Sequence, residues 1–220
     1  MLEAFVIAAL TDLLMVVLVS GNDLVSGSAE GILRIFVPFL EDGKIWPLYL
    51  AANVCLTFVL LLLLSRRSDQ LWGMVCFQVR SRNRRALFAA QKRDPYKYFI
   101  SVILGKVTAD IIYVLMPFST ADILFLLYIE SSFILTAALW LELIYILHVC
   151  GMKNTYALFL PLVLVMFFLL LLPYTGFSLL SYACIEFKAA DIVSKLMIWV
   201  ILSIVGAVVF KNRDLIRERQ

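Results

Sequence analysis

The chain has 220 residues, of which 63% are hydrophobic and only 16% charged. Soluble domains average roughly 45–50% apolar and about 25% charged residues, so this composition, with a mean hydropathy of +0.97, excludes an ordinary soluble core. The formal net charge is +3, from 19 Lys and Arg against 16 Asp and Glu.

Runs of about 20 apolar residues are long enough to cross ~30 Å of hydrocarbon. The expected fold is therefore all-α: one transmembrane domain over residues 1–220, with six spans at Ala4–Ser20, Trp46–Leu64, Phe99–Pro117, Ile123–His148, Tyr156–Pro173 and Ile192–Phe210. The first run reads as a helix and not as a cleaved signal, because Met1-Leu2-Glu3 lacks a cation and Asp12 interrupts the apolar stretch. After it, residues 22–44 open with the turn-forming Asn-Asp-Leu-Val-Ser-Gly-Ser. The following Ile32, Leu33, Ile35, Phe36, Phe39 and Leu40 have the spacing of an interfacial amphipathic helix.

The connection from Ser65 to Tyr98 carries Arg66, Arg67, Arg80, Arg82, Arg84, Arg85, Lys92, Arg93 and Lys97 against Asp69 and Asp94. Basic residues near span ends stay on the cytoplasmic side. Lys153 in the turn after span four and Lys211, Arg213, Arg217 and Arg219 in the tail agree, so both termini are expected in the cytoplasm of a multi-pass cell-membrane protein. The opposite connections hold Arg34, Lys44, Lys188 and Lys195, diluted by Asp23, Glu30, Glu41, Asp42, Glu186 and Asp191. Within Ser65–Tyr98, apolar positions such as Leu71, Met74, Val75, Val79, Leu87 and Phe88 predict one or two short helices near the membrane surface, ended by Asp94-Pro95. Its arginines serve either as an anchor on anionic lipid or as forks that dock a cytoplasmic protein. A nucleic-acid partner is the least expected of the three, since no segment here reads as a domain that could present a duplex or strand. Between spans five and six, residues 174–191 carry Phe177, Leu179, Leu180, Tyr182, Ile185 and Phe187, an apolar pair of half-inserted helices by expectation.

Six spans, an apolar outer loop after the first, Val-Arg-Ser-Arg-Asn-Arg-Arg after the second and an apolar hairpin before the last together resemble the permease subunits of type-2 ABC exporters. Small peptide and bacteriocin exporters are the most similar members. The resemblance implies a coupling helix at Gln78–Phe88, with Gln78, Arg80, Arg82, Arg84, Arg85 and Phe88 as ATPase-coupling positions. It also implies two partners: a cytoplasmic ATPase subunit carrying ATP and Mg, and a second permease copy, identical or related. The hairpin corresponds to residues 174–188. The implied activity is export of a hydrophobic or amphipathic peptide, or of lipid. Cofactors are not expected in this chain, since it has no GxxxxGK[ST] loop.

Ionisable groups at membrane depth cost ~2.5–3.5 kcal/mol each on insertion scales and are expected inside the bundle. Asp12, Lys106, Asp110, Glu130 and Glu142 qualify as intramembrane polar or translocation candidates. Lys106 and Asp110, four apart, can pair on one helix face, and Glu130 and Glu142 lie near opposite ends of span four. His148 and Cys150 are two apart on a helix, ~200° around its axis, which disfavours a nucleophilic pair; His148 is expected to cap carbonyls. Cys55, Cys76, Cys150 and Cys184 show no CxxC and read as small apolar fillers. No metal site is expected. Three rival readings remain: a substrate-binding membrane subunit of a vitamin importer, for which Ala4-x-x-x-Ala8 would be the docking face; a membrane peptidase; and a non-transport immunity or assembly factor.

Overall fold

Sequences this apolar fold as helices because a helix satisfies every backbone N–H and C=O within its own segment. In the computed structural model the described residues are 1–20, 47–73, 84–114, 120–175 and 189–212. The expected helix within 22–44, the arginines at 80 and 82 with Gln78, residues 176–188 of the outer hairpin and the tail from 213 lie outside them. Among the described residues the fold is all-α, with six helices: α1 (Leu2–Ser20), α2 (Pro47–Gly73), α3 (Arg84–Val114), α4 (Thr120–Val149), α5 (Asn154–Thr175) and α6 (Ala189–Asn212).

Two helices overrun their expected bounds on the same connection. α2 continues nine residues past Leu64, and α3 starts at Arg84, fifteen residues before Phe99. The separate short helices expected before Asp94-Pro95 are replaced, over the described residues, by continuations of α2 and α3. Pro95 lies inside α3 and is buried. It forfeits one backbone bond, but a proline inside a helix kinks rather than ends it when tertiary contacts hold both sides. Here Lys92 and Tyr96 are tied to α4, and the Tyr96 and Phe99 rings pack edge to face at 5.9 Å.

α4 ends by a left-handed residue. Gly151 has φ 80°, its N–H donates to the His148 carbonyl at 2.9 Å, and the Met152 N–H donates to the Leu147 carbonyl at 3.1 Å. This is the Schellman closure, which a Cβ at Gly151 would strain. At the start of α5, the Lys153 carbonyl accepts from the N–H groups of Tyr156 and Ala157 at 3.0 and 3.1 Å. Asp191 in the first turn of α6 and Lys211 in its last complement the helix dipole. Hydroxyls along the helices are satisfied locally: Thr11, Thr108, Ser131 and Thr136 each donate to the carbonyl four residues back at 2.6–2.8 Å.

Side-chain partners fix the relative directions of the helices. Phe5 meets Gly105 while Asp12 faces Lys106 and Asp110, so α1 and α3 run parallel. Lys106 bonds to Glu130 and Lys92 to Glu142, so α4 runs opposite to α3. Lys195 bonds to Ser132, and Ser203 shares Lys92 with Glu142, so α6 runs with α4. Leu169 near the end of α5 packs on Leu50 and Val54 near the start of α2, which makes that pair antiparallel. α1 packs most extensively on α3, and α6 on α4. The core centres on α4, where Phe133, Leu139, Trp140 and Ile144 are fully buried.

The outside of this bundle is aliphatic and its inside carries charge. Asp12, Lys106, Asp110, Glu130, Glu142, Asp191 and Lys195 are all buried, whereas Leu10, Ile100, Leu104, Phe159, Val163, Phe167, Met197, Ile201 and Ile204 are exposed. Among the described residues, Leu127–Val149 and Ala189–Lys211 are long and apolar enough to cross a membrane; Leu50–Ser65 and Thr155–Leu171 are shorter apolar stretches. The first is mostly buried within the chain and the second mostly exposed. Cys55 and Cys150 are exposed and do not fill the interior, contrary to expectation; Cys76 and Cys184 lie outside the described residues.

Candidate functional site

Two charge clusters lie inside the bundle at different heights. The first is built on α3, which carries Lys106 and Asp110 one turn apart on its inner face. The Lys106 ammonium is fully buried, pairs with Asp110 Oδ2, and donates to Glu130 Oε1 on α4 at 2.7 Å. It also sits 4.7 Å from the centre of the Phe133 ring, a cation–π contact that strengthens once water is excluded. Asp12 of α1, 1% exposed, closes the cluster beside Lys106 and Asp110. α1 comes this close because Ala4, Ala8 and Gly105 leave no side-chain bulk at the seam; Phe5 and Gly105 meet backbone to backbone. Two residues along α4 from Glu130, Ser132 Oγ accepts from Lys195 at 2.6 Å, and Lys195 pairs with Asp191 at 3.2 Å.

The second cluster is centred on Glu142, whose carboxylate is 1% exposed. Lys92 Nζ approaches its oxygens at 2.9 and 3.0 Å and donates to Ser203 Oγ of α6 at 3.0 Å. The Tyr96 hydroxyl donates to Glu142 Oε1 at 2.5 Å and accepts from Trp199 Nε1 at 3.3 Å. Lys92 also lies 5.4 Å from the Tyr145 ring centre. With the carboxylate able only to accept, the Tyr96 hydroxyl is the donor of this contact. One ammonium thus joins three helices.

Glu130 and Glu142 are twelve residues apart on α4, about 18 Å along its axis. The stretch from Phe133 to Leu141 is apolar except for Thr136, whose hydroxyl is spent on the Ser132 carbonyl. The clusters are therefore separate units and not one relay.

No protein-family model, curated protein or solved structure matches this chain.

All five intramembrane candidates, Asp12, Lys106, Asp110, Glu130 and Glu142, are buried, and the structure brings the first four together. Glu142 stands apart in the second cluster. Of the coupling positions, Arg84, Arg85 and Phe88 fall in the first turns of α3, while Gln78, Arg80 and Arg82 lie outside the described residues. Lys92, counted with the basic connection, is instead an interior ligand of Glu142. Lys195 and Asp191, counted with the outer connections, form a buried pair inside α6. Their spacing of four, the same signal that marks Lys106 and Asp110, identifies them in retrospect. Tyr96, Trp199 and Ser203 carry no such local signal. His148 Nδ1 contacts the Ile144 carbonyl at 2.8 Å while Cys150 is exposed, so the two do not form a nucleophilic pair. The helix end itself is closed by Gly151. Ala4 and Ala8 are buried within the chain and are not free as a docking face. Among the described residues, no group of three or more His, Cys, Asp or Glu side chains is placed to hold a metal.

Proposed function

We propose that this chain is a six-span membrane protein acting as the permease subunit of an ATP-driven exporter, with a hydrophobic or amphipathic peptide, or a lipid, as cargo. The observation that carries the reading is the inverted bundle: buried charges inside, aliphatic side chains outside. In water such a surface would associate, since large exposed apolar patches mark contact with protein or membrane; in lipid it is the ordinary surface, and interior charges mark functional positions. The parallel pairs α1 and α3, and α4 and α6, with α4 opposite to α3, fit serial crossing from a cytoplasmic N-terminus to a cytoplasmic C-terminus.

Helix lengths support the coupling part of the proposal. At 1.5 Å per residue, α2 and α3 run about 40 and 46 Å, more than the ~30 Å hydrocarbon core demands. Their excess lies at the arginine-rich connection, and on this reading that end of the two helices would extend past the hydrocarbon toward a second polypeptide. Arginine forks there would grip carboxylates and carbonyls of an ATPase subunit, and ATP binding would bias the bundle between states through differential affinity. A second permease copy would complete the path.

Co-purification with candidate ATPases tests this directly, comparing the wild-type chain with Arg82→Glu plus Arg84→Glu. Loss of the ATPase with retained membrane insertion is the expected result. Unchanged association would return the arginines to a lipid-anchoring role and remove the case for an ATPase partner.

A further inference from the structure

The first cluster is short of hydrogen. Around Lys106 stand three carboxyl groups on three helices, Asp12, Asp110 and Glu130, and Asp12 Oδ2, Asp110 Oδ1 and Glu130 Oε2 are closed to solvent without a hydrogen-bond partner. Lys106 cannot supply the deficit. Two of its three N–H donors go to Asp110 Oδ2 and Glu130 Oε1, and the remaining one cannot serve three oxygens. The next charges, Lys195 and Asp191 on α6, neutralise each other across 3.2 Å. Among its described side chains, α2 offers the interior the uncharged polar groups Asn53, Thr57 and Ser65. If every acid were ionised, the cluster would hold three negative charges against one positive in a space closed to bulk solvent, and buried charge of that kind neutralises instead of persisting.

We propose that Asp12, Asp110 and Glu130 form a proton-binding site around Lys106, with a proton shared between the Asp12 and Asp110 carboxyl groups across the α1–α3 seam. A proton is the ligand the geometry fits. It needs no volume, it gives an orphaned oxygen the donor it lacks, and it cuts the excess negative charge. A metal ion would have to take the place of the Lys106 ammonium among these carboxyls, and among the described residues no group of three or more His, Cys, Asp or Glu side chains is placed to hold one. Like-charged carboxyls held together share protons as a unit, so the site titrates as one system. Losing the proton would leave two negative charges on either side of the seam, so the site makes the attachment of α1 sensitive to proton supply. This holds whether or not an ATPase binds the arginine-rich connection.

Infrared spectroscopy of the purified full chain in lipid nanodiscs at neutral pH, in water and in deuterium oxide, reads the site directly. The expected result is a C=O stretch of a protonated carboxylic acid that shifts down on deuteration. Solvated carboxylates, ionised at this pH, contribute nothing there. The band should be lost in Asp12→Asn or in Asp110→Asn, near-isosteric changes in which the amide supplies the missing donor, and kept in Glu3→Gln, outside the cluster. Absence of the band from the wild-type spectrum overturns the proposal without recourse to any variant. So does its persistence at full intensity in both Asp12→Asn and Asp110→Asn.

Discussion

Replacing Gly105 by alanine sets two effects of opposite sign against each other. In a helix interior, Gly→Ala favours the helix by about 1 kcal/mol. Against this, a Cβ at Gly105 would overlap the Phe5 carbonyl oxygen and stand 3.0 Å from its carbon and 3.1 Å from Phe5 Cα. All three are main-chain atoms, so no rotamer change relieves the clash and α1 has to retreat. Overpacking costs about 1–3 kcal/mol, and a clash with backbone belongs at the upper end. The net loss is then about 2 kcal/mol, or a Tm lower by about 4–8 °C for a chain of this size. Gly206→Ala is the control. There the new Cβ would meet Ile146 and Tyr145 side-chain atoms at 3.4–3.6 Å, and helix propensity should hold or raise the Tm. Thermal unfolding of both variants in one detergent decides the matter. A Gly105→Ala protein as stable as wild type would show that α1 does not lie backbone to backbone on α3, and the placement of Asp12 beside Lys106 would fall with it.

Lys106→Met should destabilise the chain by about 3–5 kcal/mol, because removing one partner of a buried pair strands the other; adding Glu130→Gln should recover part of the loss, and a fully additive double variant would count against the pair. Lys92 is 19% exposed, so Lys92→Met should cost less than Lys106→Met in the same unfolding assay. Glu142→Gln keeps an acceptor for Tyr96 but gives up a charged one, and about 1.5–3 kcal/mol should be lost. Its cycle with Lys92→Met should be non-additive, as expected for groups in direct contact. Spin labels at Ile204→Cys and Met197→Cys in liposomes should be reached by oxygen and shielded from a water-soluble nickel complex; the reverse pattern would place that face of α6 in water.

The helices themselves were legible because long apolar runs leave little choice of structure, and over the described residues the expected spans fall on helices; Trp46 of the second and residues 115–117 of the third lie outside the described residues. Lys106 and Asp110 were legible for a local reason: four residues on a helix bring two side chains to one face. The partners of Glu130 and Glu142 were not, since Lys106 and Lys92 lie 24 and 50 residues away and meet them only through helix packing. Lys92 was further hidden by Asp94-Pro95, which reads as a break whenever tertiary support is unknown. Gly105 likewise gave no sign of its role, because a close approach between backbones depends on which helix lies opposite.

Lys92 fastens three helices at a point eight residues, about 12 Å, from the first residue of α3. A force applied at Arg84 would arrive there before reaching anything deeper in the protein. With its ammonium gripping both Glu142 and Ser203, α3 could not tilt without dragging α4 and α6, so a pull at the arginine end becomes a collective shift of three rods instead of the bending of one.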